Sequence, residues 1–166
     1  MQHAVAAFLI TLSFIAHAPA NTPRLKADDF APLAGAQWKG TLTYLDYRSN
    51  KKTSIPSNLT VTQSAADKRS WTFDYRYPKE PQADGKKTVT IGEDGTTVND
   101  EKVVERTRLA DRALRIVTEK QGADNDKPAL FRYTYLLSAS KFSIKKEVRL
   151  DGAGEFFERN EYSWTR

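Results

Sequence analysis

A two-residue period runs through most of this chain, and no other feature limits its fold more tightly. Between residues 70 and 77 the period is unbroken: Trp71, Phe73, Tyr75 and Tyr77 alternate with Thr72, Asp74 and Arg76. Successive side chains of a β-strand point to opposite faces, so this segment presents one aromatic face and one polar face. A helix would scatter the same residues around its axis.

The period recurs on both sides of that segment. A first strand over about 37–48 carries Trp38, Gly40, Leu42, Tyr44 and Asp46 on one face, and Lys39, Thr41, Thr43, Leu45 and Tyr47 on the other. A second, about 53–63, has Ile55, Leu59 and Val61 together; Pro56 within it argues for an edge, a bulge or a late start of pairing. After the aromatic strand comes a short one over 88–92, then Asp94-Gly95, a strong hairpin signal. The next strand starts at Thr96 or Thr97, breaks at Asn99-Asp100 and resumes through Val103–Arg106. Residues 113–120 follow, then a loop over 121–128, then 129–137 with Phe131, Tyr133, Tyr135 and Leu137 on one face. The last two strands are 141–150, with Phe142, Ile144, Lys146, Val148 and Leu150 at even positions, and 155–165, with Phe156, Tyr162 and Trp164. Ahead of them all, residues 21–28 read as a loose leader. Asp28 is placed to cap a short helical turn through Leu33, and Gly35 ends it.

Short strands joined by brief turns leave no room for crossover helices. The predicted fold is all-β: an antiparallel up-and-down barrel of about 9–10 strands with a short N-terminal helical turn, a two-sheet sandwich being the alternative. Long terminal strands that can pair with each other favour closure, and a barrel of this size is wide enough for a cavity.

The first twenty residues hold no Asp, Glu, Lys or Arg. An apolar run from Ala4 to Ile15 leads to Ala18-Pro19-Ala20, the form of a secretory signal peptide cleaved after Ala20. A charged n-region is missing, apart from the amino terminus and His3, and the run is too short to span a membrane. The expected division is 1–20 signal peptide, 21–32 leader and short helix, and 33–166 barrel, with a periplasmic or secreted location. There is no cysteine, both histidines (His3, His17) fall in the signal segment, and the one methionine is Met1. That excludes disulfides, a Ser-His-Asp triad, a histidine general base, and ordinary zinc, copper or His- and Met-ligated haem sites; no cofactor is expected. The net charge of +5 is spread along the chain, without the clustered basic and aromatic pattern of a nucleic-acid surface.

Gly35, Trp38 and Gly40 at the head of the first strand, the consecutive strands, and the ending YSWTR together resemble the calycin group: lipocalins, fatty-acid-binding proteins and bacterial lipocalin-like relatives. The resemblance implies a barrel with an internal ligand site. It also implies a tryptophan at the closed end packed by an arginine from a late strand, roles that fall to Trp38 and to Arg166 or Arg159. Lipocalins place one residue between the glycine and the tryptophan, whereas this chain has two. Haem-binding relatives use a histidine ligand, so that activity does not carry over.

The candidate ligand-binding residues follow from the inward faces. Trp71, Phe73, Tyr75, Tyr44, Tyr133 and Tyr135 either line a cavity for a small apolar or amphipathic molecule or pack as a filled aromatic core. Asp46, Glu158 and Asn160 are polar residues on otherwise apolar faces; they bind a ligand's polar head, or sit at the rim and pair with each other. Nothing in the spacing singles out Asp46 and Glu158 among the 21 acidic residues as an acid/base pair, so no catalytic residue is predicted. Two functions lead, a ligand-binding barrel and a filled-barrel structural or interaction protein of the cell envelope, and an enzyme ranks third.

Overall fold

The period of two becomes ten antiparallel strands in the computed structural model, which describes residues 22–166. The predicted signal peptide and its cleavage point lie outside the described residues. The strands are β1 (Gln37–Asp46), β2 (Lys51–Gln63), β3 (Ser70–Arg76), β4 (Gly85–Thr90), β5 (Thr97–Val98), β6 (Glu101–Arg108), β7 (Leu114–Asp124), β8 (Lys127–Leu137), β9 (Lys141–Leu150) and β10 (Phe157–Thr165). They form one sheet in the order β4-β3-β2-β1-β10-β9-β8-β7-β6-β5. Each strand pairs with its sequence neighbour, except that β1 meets β10 and β4 meets β5 through a weaker seam. The only helical pieces among the described residues are two 3-10 turns, Ala31–Leu33 and Pro81–Ala83.

The seam nearly closes the sheet into a barrel. Ile91 and Val98 form an isolated bridge. Asn99, held at φ +51°, donates its backbone N–H to Thr90 O at 2.7 Å. Its side chain then imitates a strand: Oδ1 accepts the Thr90 N–H at 2.9 Å, and Nδ2 donates to Thr88 O at 3.3 Å. The expected break at Asn99-Asp100 is therefore the joint of the barrel. Asn tolerates the left-handed conformation better than most residues and carries its own amide to continue the ladder.

One end of the barrel is solid. Trp38, Trp71, Phe73, Phe142, Trp164, Phe30 and Leu33 are all essentially inaccessible to solvent. The Trp38 Nε1–H donates to Leu33 O at 2.9 Å, which fastens the first 3-10 turn beneath β1. Arg166 covers the same indole from outside, its guanidinium 4.8 Å from the ring centroid, and donates to Ala139 O and Pro32 O. Gly40 is needed where β1 meets β10: a Cβ there would lie 1.9 Å from Ser163 O. Gly35 takes φ +75°, the left-handed turn that redirects the chain from the 3-10 turn into β1.

Four expectations are corrected. The leader is tied down. Leu25 N–H donates to Gly95 O at 2.8 Å, and the buried Asp29 accepts two bonds of 2.7 Å from the partly buried Arg106 in a bidentate ion pair. Asp28 makes no side-chain cap; only its carbonyl takes part in the turn. The loop expected over 121–128 is absent, because β7 and β8 run on to a two-residue turn, Asn125-Asp126, with both residues at positive φ. Finally, a bulge between Glu158 and Asn160 reverses the faces of β10 at Arg159. Phe157 therefore turns inward against Ala129, Phe131 and Val148, while Phe156 lies outside under the guanidinium of Arg132, 3.9 Å from its ring centroid.

Candidate functional site: the polar half of the barrel interior

The registers of β7, β8, β9, β10 and β1 place the inward side chains in rows across the barrel wall. The first row is Leu114, Leu137, Phe142, Trp164 and Gly40. Two residues further along each strand it becomes Ile116, Tyr135, Ile144, Tyr162 and Leu42, and two further again Thr118, Tyr133, Lys146, Asn160 and Tyr44. The interior thus passes from apolar to phenolic to plainly polar along the barrel axis. The first row is packed shut: the Phe142 and Trp164 rings stack at 5.3 Å, and Trp164 stacks on Tyr162 at 5.0 Å. Beyond it the interior opens into a cavity of about 340 Å³.

Tyr75, Tyr135, Tyr162 and Ile144 form its inner wall, with Tyr133, Lys146, Asn160 and Lys120 above them. Lys87, Thr88, Asn99 and Asp100 stand at the side where β4 and β6 part beyond the Asn99 joint, and Lys87, Thr88 and Asp100 are solvent-exposed. The mouth therefore lies along the seam. A smaller adjoining space of about 190 Å³ shares Tyr75, Lys87 and Tyr162 and reaches under the turn that holds Ala83.

Electrostatics set the character of the site. Glu101, buried at the head of β6, accepts hydrogen bonds from Thr118 Oγ1 and, at 3.3 Å, from the Tyr135 hydroxyl. Burial pushes its carboxyl above the usual glutamate range against those bonds. Burial and the charges of Glu101 and Asp100 push the Tyr133 phenol up to about 12, and Tyr75, Tyr135 and Tyr162 are raised as well, chiefly by burial. These tyrosines are hydroxyl donors at neutral pH. The Tyr77 and Tyr162 hydroxyls share a bond of 2.8 Å. Lys120 sits 3.3 Å from both carboxylate oxygens of Asp100. Lys146 lies over the Phe131 ring, 3.8 Å from its centroid, and burial lowers its ammonium below the ordinary lysine value.

Of the sequence-derived candidates, Tyr75, Tyr133, Tyr135 and Asn160 come together on the cavity wall. Trp71 and Phe73 lie in the solid end, where Phe30 meets both rings edge-on at 5.6 and 6.3 Å. Tyr44 pairs with Asn160 across the strands but stays off the cavity wall. Asp46 folds back on its own turn, accepting from Arg48 N–H at 2.9 Å and Ser49 Oγ at 2.7 Å; those bonds hold its carboxyl below the usual range. Glu158 is on the outer face, 2.8 Å from Lys52, because the bulge separates it from Asn160. The sequence reading did not single out Lys146, Lys120, Glu101 or Thr118. Lys146 had a visible signal, being the cation among Phe142, Ile144, Val148 and Leu150 at alternating positions.

No family model matches the chain, and no curated protein matches it. Among the described residues no helix is long and apolar enough to cross a membrane.

Proposed function

We propose that this protein is an exported, lipocalin-like carrier that holds a small amphipathic molecule inside its barrel. One observation carries the reading: an interior solid at one end opens at the other into a cavity of about 340 Å³ walled by tyrosines, Ile144 and amines. That volume is within the range of small-ligand sites; the lining is mainly polar, with tyrosine rings, Val89 and Ile144 as its apolar part, and this mixture suits an amphipathic molecule rather than a wholly apolar one. The stacking of Arg166 on Trp38 supports the likeness to the calycin group, and the signal-like first twenty residues support export to the periplasm or beyond.

The test uses protein purified from its own host. Native mass spectrometry before and after organic extraction should show a reproducible small-molecule adduct that extraction removes, on a chain beginning at Asn21. Repeated absence of any adduct, together with failure to bind apolar probes, would favour a filled-barrel envelope protein instead. Recovery of chain beginning at Met1 from the cytoplasm would remove the export half of the proposal.

A further inference from the structure

The chemical class of the ligand follows from how the cavity's charges are paired. Lys120 is matched by Asp100. Asp124, an acid on the same strand as Lys120, is engaged by the Tyr47 hydroxyl and lies 3.8 Å from Arg159. Glu101 spends its acceptor oxygen on Thr118 and Tyr135, and burial biases it toward the neutral form. Lys146 is left over. It stands on the inward face of β9 between Tyr133 and Asn160, half-buried, with aromatic rings beneath it and no carboxylate partner among the described residues. Lys87, at the mouth, also has no ion-pair partner among the described residues.

A half-buried cation with no carboxylate in contact has lost hydration that the Phe131 ring and the more distant charge of Asp124 replace only in part. An anion entering the cavity restores it, and charge-assisted bonds are the strong ones in such a setting. The neighbours of Lys146 suit the remaining valences of an oxyanion: a phenol that keeps its proton to about pH 12 on one side and a carboxamide on the other. One row deeper, Tyr135, Ile144 and Tyr162 offer an apolar surface for a ring or a short chain. Resting on the carrier reading above, we infer that the barrel selects a singly anionic amphiphile, its carboxylate or sulfonate seated on Lys146 and its apolar body against Tyr135, Ile144 and Tyr162.

The experiment compares two fluorescent probes with the same ring framework, 8-anilinonaphthalene-1-sulfonate and the uncharged N-phenyl-1-naphthylamine. The parent protein should bind the sulfonate about tenfold or more tightly than the neutral amine, the worth of one charge-assisted contact. Lys146→Met should erase that preference while the neutral probe still binds, which also reports that the barrel is folded. Should Lys146→Met fail to fold, Lys146→Gln serves in its place, and Lys146→Arg should keep the preference. Lys51→Met, on the exposed start of β2, should change neither affinity. Equal affinity for both probes in the parent overturns the anion inference and leaves the carrier standing. Loss of sulfonate binding in Lys51→Met as large as in Lys146→Met overturns it too, since the probe would then be on the surface. If neither probe binds, the carrier reading falls and this inference with it.

Discussion

The two ends of this barrel draw on the same run of strands and the same alternation, yet one is packed shut and the other hollow. Leu114, Leu137, Phe142 and Trp164 form the closed row; Thr118, Tyr133, Lys146 and Asn160 stand at the corresponding positions four residues along each strand. The period of two decides only which side chains face inward. Whether the interior fills depends on what those side chains are. Large apolar rings interdigitate: Phe142 meets Phe73 and Trp38 edge-on at 6.1 and 6.2 Å while stacking on Trp164. Hydroxyls, an amide and amines must keep partners or water, so they line a space rather than close it.

Truncation at each end separates the two. Trp38→Ala should cost about 3–5 kcal/mol, because a fully buried indole and its bond to Leu33 O are lost from a packed site. Chemical denaturation gives the value, and a midpoint equal to the parent's would refute the solid end. Gly40→Ala should cost about 1–3 kcal/mol, since its Cβ would force β10 away at Ser163 O. Tyr133→Ala, on the cavity wall, should cost about 1 kcal/mol, because it enlarges space that already exists. If it proved as costly as Trp38→Ala in the same denaturation series, the cavity would have to be regarded as packed core.

The smallest effect is in the pH dependence. Glu101 has a folded-state pKa above its unfolded value, so the native protein holds a proton that the unfolded chain releases. Its contribution is full below the ordinary glutamate range and declines as pH rises through the folded value. Glu101→Gln keeps an acceptor for Thr118 and Tyr135 but cannot titrate. Relative to the parent it should gain stability as pH rises above that range, with no gain in acid. An advantage confined to acid would show that Glu101 is stabilised as the anion.

Much of this architecture was legible in the chain. The aromatic face of β3, the tryptophan at the head of β1 and the hairpin at Asp94-Gly95 all rest on local rules of alternation and turn chemistry. Pro56 is explained by pairing: it lies within β2, ahead of Asn58, where pairing with β3 begins. The errors arose where one residue changes the register or the partner is far away. A single bulge at Arg159 exchanged Phe156 for Phe157 and sent Glu158 outward, and no propensity marks that residue as the extra one. Asn125-Asp126 makes a hairpin turn from two non-glycine residues at positive φ, so the segment looked like a loop. The Asp29–Arg106 pair joins residues 77 apart, a contact that only the closed barrel creates. In the site, aromatic alternation led to Tyr75, Tyr133 and Tyr135. Glu101 follows a break in pairing, where the period gives no face.

The central claim is that ligand enters the polar half of the interior and leaves the solid end untouched. The most direct measurement is a titration of the isotopically labelled protein with N-phenyl-1-naphthylamine, followed by backbone amide chemical shifts. The account predicts saturable shifts centred on Tyr133, Ile144, Lys146 and Asn160, with Leu33 and Trp38 unmoved. Shifts centred on the closed end, confined to the outer face, or absent at saturating probe would contradict it.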